Sequence, residues 1–207
     1  MTRINTGKSY HTDSKCNDCS KGCQLLKEYF RKWLGQHQSH QTLISFSECI
    51  ITFMGTFLGL GIISIVHYRL LTKHDFIFLI GSFGASCVLL FAVPSSSLAQ
   101  PRNAILGQLI GATVGCILRL ISNCIHEQFL VATLSVAISI LFMQLTNTLH
   151  VPGAATALSV TVTTTNFPWY GFQYILMPTL SGSIILVIVA IIINNLSPTR
   201  HYPLSWW

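Results

Sequence analysis

The stretch "TLHVPGAATAL", residues 148–158, puts an ionisable ring, a proline and a run of small residues at the end of a long apolar segment. It decides the fold, because the apolar segment either continues through it or stops there. Pro152 has no amide hydrogen and its ring clashes with a preceding helical turn, but it suits the first turn of a new helix. A long helix therefore ends near His150 and a short one, rich in small residues and threonine, follows over 152–166.

Working outward, the chain is 51% hydrophobic and only 9% charged, against about a quarter charged in an ordinary soluble domain. Four runs are long and apolar enough to cross a bilayer: 48–68, 104–122, 129–149 and 173–195. A shorter apolar run, "FIFLIGSFGASCVLLFAV" at 76–93, precedes "PSSSLAQPRN" at 94–103, whose two prolines interrupt regular helix. The expected fold is all-α: a polytopic transmembrane bundle of four full spans plus two short broken or re-entrant helical segments. Each half holds a long helix, a small-residue segment ("GASCVLLF", then "GAATALSV"), a polar or Pro-containing gap and another helix. A two-fold internal repeat and a chance match of Gly-Ala pairs both fit this pattern. Gly107, Gly111 and Gly115 are four apart on one helix face, and such faces suit self-association into a homo-oligomer or close internal packing.

Seven of the 12 Lys and Arg fall within the first 32 residues, which places the N-terminus on the cytoplasmic side. If both short segments cross, the chain has six spans; if both re-enter, it has four. Either arrangement leaves nine Lys and Arg inside and three outside, so charge does not choose between them. A bacterial inner membrane and an organelle envelope satisfy the rule equally. The expected organisation is a disordered basic tail over 1–22, an amphipathic interfacial helix and linker over 23–40, the transmembrane domain over 41–199 and a short aromatic tail over 200–207. The helix "CQLLKEYFRKWL" carries basic residues on one face and Leu, Phe and Trp on the other, which fits the bilayer surface, or else packing on a soluble partner, rather than nucleic acid. No signal peptide is expected, because the first apolar run starts near Cys49. His11, Cys16, Cys19 and Cys23 contain a single C-x2-C pair, weaker than a zinc module requires, so no metal and no cofactor is expected.

"GSFGASCVLLF", "PSSSLAQPRN", "LFMQLTNTLH" and "HVPGAATAL", together with the closing "YPLSWW", resemble the HPP family of integral membrane proteins over residues 40–207. The resemblance implies a small helical membrane protein counted as four spans. It also implies a transporter, since members from plastids and cyanobacteria are linked to nitrite. The His-Pro-Pro that names the family reads His150-Val151-Pro152 here, without the middle proline.

A small anion entering a bilayer needs fixed hydrogen-bond donors in place of water. Helix N-termini supply them, and half-helices starting at 82–85 and 153–156 would point two such ends at one midplane site. Ser82, Ser86 and Thr156 would add hydroxyls, with packing by small residues as the plain alternative. Arg102 is costly at bilayer depth, so it would attract the anion or else snorkel to the interface. Gln100 and Asn103 flank it with amide donors. His150, whose ring titrates near neutral pH, would carry a proton with the anion, or else end a helix on its dipole. Asn147 and Gln144 share its face if the fourth helix runs that far. The expected function is transport of a small inorganic anion, with a membrane scaffold as the alternative. A serine–histidine hydrolase built on "GASC" and His150 is a further alternative, but it matches no established motif: Cys87 stands where a GxSG pattern has glycine.

Overall fold

The computed structural model describes residues 24, 27, 29–31, 44–70, 76–122, 127–163 and 172–206. The chain divides into Met1–Leu43 and Ile44–Trp207. In the first unit, Gln24, Lys27 and Tyr29–Arg31 are helical, with Tyr29 and Phe30 exposed. The cysteine-bearing tail and the rest of the 23–40 segment lie outside the described residues.

The second unit is helical throughout its regular elements: α1 (Phe46–Leu70), α2 (Phe76–Cys87), α3 (Pro101–Ser122), α4 (Gln128–Leu145), α5 (Val151–Val162) and α6 (Ser181–Asn194). A π-helical turn, Val88–Ala92, extends α2, and a second, Ile175–Leu180, leads into α6. Four helices are long and apolar enough to span a membrane: Phe46–Val66, Pro101–Ser122, Gln128–Leu145 and Ile175–Asn194. Gly81–Ala92 and Val151–Val162 are the shorter apolar helices. The end of the α2 extension meets the start of α1, where Thr52 donates to Phe91 O at 2.9 Å. It also meets the end of α6, where Asn194 Nδ2 donates to Leu90 O at 2.9 Å. The end of α4 meets the start of α3, where Arg102 Nη2 donates to Thr146 O at 3.0 Å. α5 follows α3 in the same direction, Gly107 lying against His150 and Gly115 against Ala157 and Val160. The six helices therefore alternate in direction, and the chain from 93 to 100, the α4–α5 connection, the start of α1 and the C-terminal segment share one face, here the near face.

Glycine spacing sets the core. α1 turns Gly55, Gly59 and Ile63 inward onto Phe91 and Leu186 and leaves Phe53 and Phe57 stacked outside, ring centroids 6.0 Å apart. On α3, a Cβ at Gly111 would collide with the Gly153 carbonyl, and one at Gly115 would sit 2.7 Å from Ala157 O. Without side chains there, the α3 and α5 backbones touch.

Two element boundaries differ from the sequence reading. α4 stops at Leu145, not 149. Asn147 takes a left-handed conformation (φ 52°), and Thr148 N–H bonds Met143 O at 2.8 Å while Asn147 N–H bonds Gln144 O at 3.2 Å. This is a Schellman-type helix end, and asparagine tolerates its left-handed position. α2 begins at Phe76, so no helix starts at 82–85.

Candidate functional site

α2, α3 and α5 meet around five buried polar side chains: Ser82, Ser86, Gln108, His150 and Thr156, each 4% exposed or less. α2 contributes Ser82 and Ser86 one turn apart on the same face. α3 contributes Gln108, which follows Gly107, the glycine whose missing side chain admits His150. α5 contributes Thr156 and, immediately before its first turn, His150 in extended conformation (φ −142°, ψ 108°). Pro152 near the start of α5 forces that break and so holds the imidazole above the helix end.

The groups join in one hydrogen-bonded chain. His150 Nδ1 donates to Leu98 O at 2.9 Å, which leaves Nε2 of the neutral ring as an acceptor, 3.1 Å from Ser86 Oγ. Gln108 Nε2 donates to Ser86 Oγ at 3.1 Å and to Ser82 Oγ at 2.9 Å. Ser82 Oγ lies 2.5 Å from Thr156 Oγ1, and Thr156 donates to Gln108 Oε1. One assignment of protons satisfies every member: Ser86 donates to His150, and Ser82 to Thr156. An isolated polar group in this interior would cost several kcal/mol, of order 2–7, so closure of the chain is what lets five of them coexist.

Four of the eight residues singled out from the sequence, Ser82, Ser86, His150 and Thr156, come together here. The other four lie toward the near face. Arg102 reaches the α4 end through Thr146 O. Asn103 donates to Ser97 O at 2.9 Å and Leu149 O at 3.3 Å. Gln100 is buried, donates to Pro94 O and Ser96 O, and accepts from the backbone of Leu204 and Ser205. Asn147 is exposed at the helix end and is not on a shared face with His150, because α4 ends first. Gln108 was missed. Its signal was available: a lone amide inside the apolar run "AILGQLIGATVG", where polar side chains are expensive and point inward.

The paired N-termini are not those the sequence suggested, since Ser82 lies within α2. The ends that do pair belong to α3 and α5, which start on the near face and run parallel in contact. Their positive dipole ends therefore add beside Arg102, Asn103 and His150. Among the described residues, no three His, Cys, Asp or Glu side chains cluster as a metal site would need.

The HPP transmembrane region family matches residues 41–203. A transmembrane protein of Dictyostelium discoideum is 42% identical over 182 residues, covering 87% of this chain and 64% of that relative. A second from the same organism is 40% identical over 181 residues, covering 87% of this chain and 58% of its own length. The chain thus spans about six-tenths of the length of these relatives. No solved structure matches. A family match over most of the bundle, with two relatives at this identity, means that the chain belongs to the HPP family of multi-pass integral membrane proteins.

Proposed function

We propose that this chain transports a small inorganic anion across the membrane, with Ser82, Ser86, Gln108, His150 and Thr156 as the buried polar step. The observation that carries the reading is their single hydrogen-bonded cluster where three helices meet. Polar groups at this depth are expensive and mark solute pathways. The cluster offers hydroxyl and amide hydrogens that can turn from one another to a dehydrated anion. The adjoining α3 and α5 N-termini and Arg102 make the near face attractive to negative charge. In this reading the near face and the basic N-terminus are cytoplasmic, the bilayer is the chain's solvent and no catalysis is involved. Association into homo-oligomers is compatible with it. Nitrite, the anion implied by the family resemblance, is the first to test.

The experiment is anion flux into proteoliposomes, comparing nitrite, nitrate, formate and chloride at two pH values. Saturable uptake that falls about tenfold in Gln108→Leu and Arg102→Ala is expected, the size set by one lost hydrogen bond to an anion. Absence of uptake of all four by folded, inserted protein would sink the reading and leave the cluster as interhelical glue.

A second reading has one specific observation in its favour. Ser86 Oγ sits 3.1 Å from His150 Nε2, and the ring is oriented through Nδ1 by Leu98 O. That is the arrangement of a nucleophile, its base and the group orienting the base. Gln108 Nε2, 3.1 Å from Ser86 Oγ, would then serve as an oxyanion donor. Covalent labelling by a fluorophosphonate, abolished in Ser86→Ala, would favour hydrolysis over transport. An unlabelled Ser86 would leave transport.

A further inference from the structure

The chain from 93 to 100 closes the near face over His150, and Leu98 O is the acceptor that fixes the imidazole. The two residues that follow Leu98 are held by the C-terminal segment. Tyr202, 2% exposed, donates its hydroxyl to Ala99 O at 2.8 Å. Gln100 Oε1 accepts from Leu204 N–H at 2.8 Å and from Ser205 N–H at 3.3 Å. Gln100 passes that hold back into the connection through Pro94 O and Ser96 O. Tyr202 is itself clamped, because Asn195, just beyond α6, bonds both its N–H and its carbonyl. Between residues 92–95 on one side and 199–201 with Leu204 on the other lies a cavity of about 370 Å³. Along this seam the Tyr202 ring packs into the core and a few polar bonds border open space, while Arg200 anchors the start of the segment to Glu48 and Phe91 O.

We propose that the C-terminal segment is a latch: bound, it holds the 93–100 connection shut over the His150 network, and released, it lets that connection swing and opens the network to the near face. This inference rests on the buried network being the functional site. Beyond the Arg200 anchor, the bonds from Tyr202, Leu204 and Ser205 to Ala99 and Gln100 are specific and few, as a reversible latch requires, and Leu98 couples the connection directly to the imidazole. Burial raises the Tyr202 phenol above its ordinary range, so it remains a donor to Ala99 at physiological pH.

The test is hydrogen exchange by mass spectrometry on the full chain in lipid nanodiscs, comparing wild type with Tyr202→Phe and Asn195→Ala. Two places are read: the amides of 93–100 and the imidazole C2–H of His150. The amides of 108–116 in α3 are the internal control. Loss of one buried hydrogen bond shifts an opening equilibrium about fivefold, so exchange about fivefold faster at both places, with α3 unchanged, is expected in either variant. Unchanged exchange at 93–100 in both variants overturns the latch, and so does equal acceleration in α3, which would make the tail a general brace. Anion flux in the same variants tests the underlying reading separately. Faster exchange with increased flux supports both, whereas faster exchange in a chain that moves no anion keeps the latch and discards transport.

Discussion

Gln108 has its amide hydrogens on Ser82 and Ser86 and its carbonyl oxygen facing Thr156. Replacing it with leucine takes one partner from three hydroxyls at once, although Ser86 keeps His150 and Ser82 and Thr156 keep each other. In water a fully stranded group costs of order 1–3 kcal/mol, but buried polar pairs in membranes are worth less, about 0.6 kcal/mol on average. Gln108→Leu should therefore lower apparent melting in detergent by only a few degrees while flux collapses. A large stability loss with flux retained by the folded fraction would show the cluster to be structural. Thr179 gives the opposite prediction. It is 1% exposed on the π-turn before α6, and its hydroxyl has no hydrogen-bond partner among the described residues. Thr179→Val removes an unsatisfied group at nearly constant shape, so it should raise stability by about 1 kcal/mol. A lower melting temperature would reveal a partner for that hydroxyl. Ser82, Ser86, Thr156 and His150 were legible as site candidates because serine, threonine and histidine in small-residue runs are conspicuous. Gln108 was not, because the Gly107, Gly111 and Gly115 stripe around it reads as a packing face, and Thr179 was not, because a threonine beside Pro178 reads as ordinary helix punctuation.

Helices α3 and α5 depend on the absence of side chains at particular positions. A Cβ at Gly111 would meet the Gly153 carbonyl, a backbone atom that cannot move aside, whereas one at Gly61 on α1 would meet nothing within 4 Å. The same chemical change should then have opposite outcomes. Gly61→Ala should be neutral or stabilising by up to about 1 kcal/mol, from helix propensity. Gly111→Ala should cost about 1–3 kcal/mol or more, as overpacking does, and should push His150 away from Ser86, lowering flux as well. Thermal melting of the two variants side by side checks this. The glycine stripe was legible as a close-packing face, but its partner was not, because spacing identifies a face and not what lies on it. The α4 boundary was overrun for a related reason. Leu149 kept the run apolar, while the stop is a backbone event at Asn147 that hydropathy does not register.

Across the second unit, α1 to α3 run long, short, long, and α4 to α6 repeat that order in the opposite direction. Three helices of alternating direction per half invert the second half, the arrangement from which many transporters build a central site between short helices. Charge counting could not distinguish crossing from re-entry. What settles direction is a set of hydrogen bonds between residues far apart in sequence, and the strongest set centres on Arg200. Its guanidinium pairs with the Glu48 carboxylate and donates to Phe91 O at 2.8 Å, Asn194 Oδ1 at 3.0 Å, Glu48 O at 3.2 Å and Thr52 Oγ1 at 3.2 Å. One side chain, 8% exposed, thereby ties the start of α1, the end of the α2 extension and the end of α6. Lysine keeps the charge but has three donors on a single nitrogen, and it cannot span partners spread around a planar fork. Arg200→Lys should therefore destabilise the bundle by about 2 kcal/mol, the scale of hydrogen bonds to a charged group, read as a lowered melting temperature. The α2–α3–α5 cluster does not include Arg200, so protein that remains folded should keep its saturable flux and its selectivity among anions. Gln108→Leu should do the reverse, sparing stability and removing flux. If instead Arg200→Lys abolishes flux without loss of stability, the solute route passes through the Arg200 clamp, and the polar step belongs between α1 and α6.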